Sequence, residues 1–120
     1  MLNLKQQKSK LNKICLVTSD GFEFIEVNTI LYCKAEGSYT AFIIKNSEKL
    51  LVSKNLKEYE NLLLEHDFMR IHNSYLINLK EVKKYIKADG GYIIMNNNDT
   101  VSISRSKKED FIQIMSSLIN

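Results

Sequence analysis

At 120 residues the chain is long enough for one domain with a modest core and too short for two. Hydrophobic residues make up 44% and charged residues 26%, ordinary values for a globular protein. No apolar run approaches the roughly 18–20 residues of a membrane span, and no N-terminal apolar block precedes a small-residue cleavage site, so a cytoplasmic protein is expected. The net charge of +3 rests on Lys5, Lys8, Lys10 and Lys13, leaving −1 over the other 107 residues; a case for nucleic acid therefore has to come from local clustering.

Residues 1–13 are polar and basic and read as a linker or frayed helix ahead of a domain spanning 14–120. Ile14–Val17 and Phe22–Val27 flank Ser19-Asp20-Gly21, and the Asp-Gly pair predicts a hairpin. Ile30–Ala35 and Tyr39–Lys45 flank Glu36-Gly37-Ser38, where Gly37 can supply a positive φ. A strand at Leu50–Ser53 follows the turn Asn46-Ser47-Glu48. Asn55 and Glu58 then form a capping-box pattern, with Leu56, Tyr59 and Leu63 on one helical face. Beyond Phe68, strands are expected at Tyr75–Ile77, Val82–Lys87, Tyr92–Met95 and Val101–Ile103. A closing helix is expected from Ser106, capped by its hydroxyl, with Phe111, Ile114, Met115 and Leu118 as its core stripe. The fold class is mostly β with two helices.

Little in the chain suggests catalysis. His66 and His72 are six residues apart, with Asp67 between them, unlike a zinc site, and no GxSxG, Walker or GxGxxG pattern occurs. No cofactor or metal is expected, and the protein is read as a non-enzyme. Cys15 and Cys33 lie in apolar stretches and read as small buried hydrophobes.

Two segments carry hydrogen-bonding groups in an apolar frame. In Phe68–Leu79, the side chains of Phe68, Ile71, Leu76 and Ile77 can pin the segment while Arg70, His72, Asn73 and Ser74 stay free. An amide can pair with two atoms of adenine, and guanidinium, imidazole and hydroxyl groups suit phosphate; a turn rich in self-capping Asn and Ser would look the same. In Val101–Lys108, Arg105 stands at a strand-to-helix junction where it could reach guanine, with Lys107 and the helix N-terminus toward phosphate. Residues 68–108 hold eight basic residues against three acids, a cluster that an ordinary solvated surface could also show.

Taken in order, Phe22-Glu23-Phe24-Ile25, Ile30-Leu31-Tyr32, Ala35–Thr40, Ser53–Lys57, Phe68–Leu79 and Ser102–Lys108 resemble the LytTR family of bacterial DNA-binding domains over about residues 14–118. The resemblance implies an elongated arrangement of small antiparallel β-sheets whose loops, rather than a recognition helix, enter successive major grooves. Carried over by motif, Asn73, Arg105 and Tyr39 look like base readers. Lys54, Arg70, His72, Ser74 and Lys107 look like backbone contacts or loop organisers.

The partner implied is double-stranded DNA carrying paired direct repeats. A receiver domain is expected in the full-length protein, of which this chain would be the excised output domain or a stand-alone version. With both helices packed on the core and no heptad left over, the isolated domain is expected to be monomeric. A β-rich protein-interaction module is the alternative. A single-strand or RNA binder would need exposed aromatics on a sheet face, for which Tyr39, Phe42, Tyr85 and Tyr92 are the candidates.

Overall fold

The computed structural model describes residues 12–119; the polar segment 1–11 lies outside the described residues. Strands β1 (Lys13–Thr18) and β2 (Gly21–Glu26) form an antiparallel hairpin. Its two-residue connection is Ser19-Asp20, with Gly21 already paired to Thr18, so the turn sits one residue earlier than the Asp-Gly signal suggests. Five strands form the central sheet: β3 (Ile30–Glu36), β4 (Tyr39–Ile44), β5 (Glu48–Val52), β6 (Phe68–His72) and β7 (Tyr75–Asn78), in the antiparallel order β5-β4-β3-β7-β6. A third sheet has the order β10-β9-β8, from β8 (Val82–Ile86), β9 (Tyr92–Met95) and β10 (Thr100–Ser102). Helix α1 (Leu56–Leu63) follows β5, and α2 (Lys108–Ile119) closes the chain.

The central sheet is covered on both faces. One face packs with the β1–β2 hairpin and α1 in a core of Ile14, Leu16, Cys33, Phe42, Tyr59, Leu63, Phe68 and Leu76. The other meets the three-stranded sheet and α2 through Leu31, Tyr32, Ile71, Ile77, Ile93, Val101 and Phe111. A strand buried on both faces needs an unbroken apolar run, which is why Ile30-Leu31-Tyr32-Cys33 does not alternate. The layers extend over 49 × 34 × 26 Å, the elongated arrangement of small sheets expected.

Helix α1 starts as its pattern predicts. The Asn55 side chain accepts from the Glu58 N–H, and the Glu58 carboxylate accepts from the Asn55 N–H. Leu56, Tyr59 and Leu63 are all buried. Tyr59 stands edge-on to Phe42 at 4.8 Å between ring centroids, so this helix is anchored at its midpoint.

Several local expectations are overturned. Phe68–His72, to which no strand was assigned, forms one because β7 offers it a partner edge. Helix α2 begins at Lys108 after a 3-10 turn over Arg105–Lys107, so Ser106 lies inside that turn and is not the cap. Phe111 is buried and Met115 partly so, but Ile114 is exposed, because α2 touches the sheets along a narrower line than its apolar pattern allows; the Leu118 side chain lies outside what is described. Cys33 is buried, whereas Cys15 is exposed, since it lies on the outer face of the hairpin opposite Phe24. No described helix is long and apolar enough to cross a membrane.

Candidate nucleic-acid interface

Three chain segments meet at one end of the central sheet. The first is the tight turn between β3 and β4. Gly37 takes φ +61 there, a left-handed conformation that costs other residues a Cβ clash. Tyr39 follows it and is 51% exposed. The next residue, Thr40, is fully buried and donates its hydroxyl to the Lys54 carbonyl at 2.8 Å. That bond holds the segment leading into α1, with the exposed Lys54, beside Tyr39.

The second segment is the turn Asn73-Ser74 between β6 and β7, tied to the first where the Ala35 N–H donates to the Ser74 carbonyl at 2.9 Å. The third is the crossing from β10 to α2. Its Ser104 N–H donates to the Ile71 carbonyl at 2.8 Å, which places Arg105, Ser106 and Lys107 alongside β6. All three of these residues are exposed.

The Asn73-Ser74 turn is held at nearly every backbone group. Arg70 Nε donates to the His72 carbonyl at 2.9 Å and Nη2 to the Asn73 carbonyl at 2.6 Å. The ring Nδ1 of His72 accepts from the Ser74 N–H at 3.0 Å. Arg70 Nη1 meets Glu60 Oε1 of α1 at 2.9 Å, with the two side chains 23% and 32% exposed. The Asn73 carboxamide, by contrast, is exposed and makes no hydrogen bond among the described residues. A rigid backbone therefore presents a side chain whose donor and acceptor are both unspent.

Behind the turn runs an aromatic contact line. His72 and Tyr75 stand 5.8 Å apart, and Tyr75 and Tyr32 6.0 Å. The Tyr32 hydroxyl donates to Asp99 Oδ2 at 2.7 Å. Burial, with the hydrogen bond and charge of Asp99, pushes the Tyr32 phenol well above its ordinary range.

The basic cluster read from the sequence divides in two. Arg70 and Lys80 face Glu60 and Asp67, Lys83 donates to the Asn98 side chain, and Lys108 donates to the Gly90 carbonyl. Lys84, Lys87, Arg105 and Lys107 have no ion pair among the described residues, and neither does Lys54. The aromatics that a single-strand platform would need do not assemble. Of the four candidates, Phe42 is buried, Tyr85 leans on Phe111 at 5.9 Å and Tyr92 is half-buried, so that only Tyr39 among them is well exposed. Among the described residues, no three His, Cys, Asp or Glu side chains gather as a metal site would require.

Thus the structure brings Tyr39, Lys54, Arg70, His72, Asn73, Ser74, Arg105 and Lys107 to one end of the sheet. Sequence reasoning missed two residues, one that holds this end of the sheet and one that holds the opposite end. Glu60 sits on the outer side of α1 and looks like any solvated acid until α1 is laid on β6. Asn78 lies at the opposite end, where β7 leaves the sheet and β3 and β6 enter it. It is 2% exposed; its Nδ2 donates to the Ile30 carbonyl and its Oδ1 accepts from the Lys80 N–H, both at 3.0 Å.

Comparison with known proteins agrees with this geometry. A family model described as the LytTr DNA-binding domain matches residues 20–116. The CO-responsive transcriptional regulator RcoM of Rhodospirillum rubrum is 28% identical over 100 residues, covering 81% of this chain and 42% of its own length. The sensory transduction protein LytT of Oceanobacillus iheyensis is 27% identical over 106 residues, covering 85% and 43%. The chain thus spans less than half the length of either regulator. A solved LytTr DNA-binding domain from Bacillus cereus shares the fold, with a TM-score of 0.74 at 23% identity over 87% of this chain and 96% of that one.

Proposed function

This chain belongs to the LytTR family of DNA-binding domains, and on that premise we propose that it reads double-stranded DNA with the loop-bearing end of its central sheet. The observation that carries the proposal is the contrast within that end: nearly every backbone group of the Asn73-Ser74 turn is tied, while the side chains of Asn73, Arg105, Lys107, Lys54 and Tyr39 are exposed without hydrogen-bond or ion-pair partners among the described residues. Asn73 and Arg105, with Tyr39 as a third, read base edges in the major groove. Lys54 and Lys107 meet phosphate, and Ser74 adds a hydroxyl there. Arg70 and His72 organise the turn: the guanidinium is engaged by two turn carbonyls and Glu60, and the His72 Nδ1 by the Ser74 N–H.

The matched region makes up 42% and 43% of the two regulators it resembles. The reading extends to a non-catalytic output domain of a bacterial two-component response regulator, acting in the cytoplasm behind a receiver domain. It works without a cofactor, is monomeric alone, and occupies paired direct repeats.

The test is a duplex selected from a random pool, titrated with salt. Neutralising about four to six phosphates gives a slope of log affinity against log salt of roughly −4 to −5. Arg105→Lys keeps the charge but loses the planar fork that grips guanine, so sequence preference should drop. Lys107→Ala should weaken selected and scrambled duplexes alike and lower the slope by about one. A flat salt titration refutes DNA binding, and full preference in Arg105→Lys refutes base reading by Arg105.

A further inference from the structure

We propose that Glu60 of α1 is a specificity-determining positioning residue, which acts through Arg70 to set the geometry of the Asn73-Ser74 turn. The inference rests on the base-reading role of Asn73 proposed above. Arginine presents its donors in a rigid plane. Here Nε and Nη2, on one edge of that plane, take the carbonyls of two successive residues, His72 and Asn73. The remaining end, Nη1, is held by Glu60 at 2.9 Å. With three fixed points the guanidinium can neither rotate nor slide, and the two carbonyls it grips are locked with it.

Glu60 can serve as the fixed point because its neighbour is immobile. Tyr59 is fully buried against Phe42, so the backbone at Glu60 is anchored in the core while its side chain reaches across to β6. The partly buried setting matters too, since little water competes for Arg70. Without the carboxylate, the nearest strong acceptor for the guanidinium would be a DNA phosphate. Arg70 swinging toward it would release the His72 and Asn73 carbonyls. Glu60 thus keeps a cation that stands at a DNA-facing turn from becoming one more non-specific contact. This arrangement trades affinity for discrimination.

The experiment compares wild type, Glu60→Ala, Glu60→Gln and Asn73→Ala on two duplexes: the one that wild type selects from a random pool, and its scrambled counterpart. Glu60→Ala should lose about tenfold in the ratio of the two affinities, the scale of one well-placed base contact. Its affinity for the scrambled duplex should be unchanged or higher, because a negative charge has left and Arg70 is free. Glu60→Gln keeps an oxygen for Nη1 and should retain the ratio to within about threefold, the worth of a neutral against a charge-assisted hydrogen bond. In the absence of DNA, hydrogen exchange at the Ser74 amide should speed up in Glu60→Ala while exchange in the core strands is unchanged.

A full ratio in Glu60→Ala, with Asn73→Ala losing it, overturns the role of Glu60 and leaves the base-reading turn standing. Equal weakening on both duplexes in Glu60→Ala also overturns it, by showing a loss of fold. A full ratio in Asn73→Ala refutes the base-reading premise itself, and the proposal falls with it.

Discussion

Asn78 offers the sharpest test of how β7, the strand that follows the Asn73-Ser74 turn, is held at its far end. It ends β7, past the last β3–β7 pair, Tyr32 with Ile77, and its side chain takes over where the ladder stops. Asn78→Ala would leave the buried Ile30 carbonyl without a donor, a cost of about 1–3 kcal/mol. It would also remove the acceptor capping the Lys80 N–H, worth about 0.5–2 kcal/mol at a helix start. Because the Lys80 side is only partly buried, water recovers some of the second loss, and the whole should come to roughly 2–4 kcal/mol in a urea titration. Asn78→Asp separates the two bonds. The new carboxylate can still accept from Lys80, but at neutral pH it sets a negative oxygen against the Ile30 carbonyl. Burial and that carbonyl raise its pKa in the folded state above the ordinary value of about 3.9. A raised pKa gives stability that is present below the unfolded value and lost as pH rises through the folded one. This variant should therefore approach wild type near pH 4 and fall away toward pH 7, where the carboxyl has lost its proton and can no longer donate to Ile30. An Asn78→Ala protein within about 0.5 kcal/mol of wild type, the range of ordinary surface changes, would refute the reasoning, as would a pH-independent deficit in Asn78→Asp.

The same turn should show its division of labour in stability. Phe68→Ala opens a cavity in the core beside α1 and should cost about 3–5 kcal/mol, whereas Asn73→Ala should stay within about 0.5 kcal/mol; equal losses in thermal melts would make Asn73 a structural residue. Tyr32→Phe takes one donor from Asp99, which keeps the Asn97 amide at 2.9 Å, and should cost roughly 1–3 kcal/mol at neutral pH. Because the folded Tyr32 phenol is raised above 10.0, wild type should lose stability as pH climbs past about 10, by up to about 1.4 kcal/mol per unit from this group. The gap between wild type and Tyr32→Phe should therefore narrow there, and parallel stability curves would show that Tyr32 is not held protonated.

Local chemistry in the sequence was sufficient for much of this protein. Turn residues at Asp20-Gly21, Gly37-Ser38 and Asn46 set the strand boundaries to within a residue or two, and the Asn55–Glu58 pair placed the start of α1. The motif order was enough to name the family and to pick the residues that meet at one end of the sheet. These features depend on neighbours a few positions apart, whose geometry hardly changes from one protein to another. What the tertiary structure alone decided was which face each residue presents, and to what. Bulges between Ile30 and Tyr32 and between Arg70 and His72 shift the alternation of β3 and β6, so periodicity could not say which core Leu31 or Ile71 would join. Cys15 and Ile114 lie in apolar runs, yet face outward because no layer among the described residues covers the hairpin's outer face or that side of α2. Arg70 read as a cation ready for phosphate until α1 brought Glu60 to it from ten residues upstream. A hydrogen bond between distant elements is formed by the packing of layers, and that packing leaves no trace in the spacing of the residues it joins.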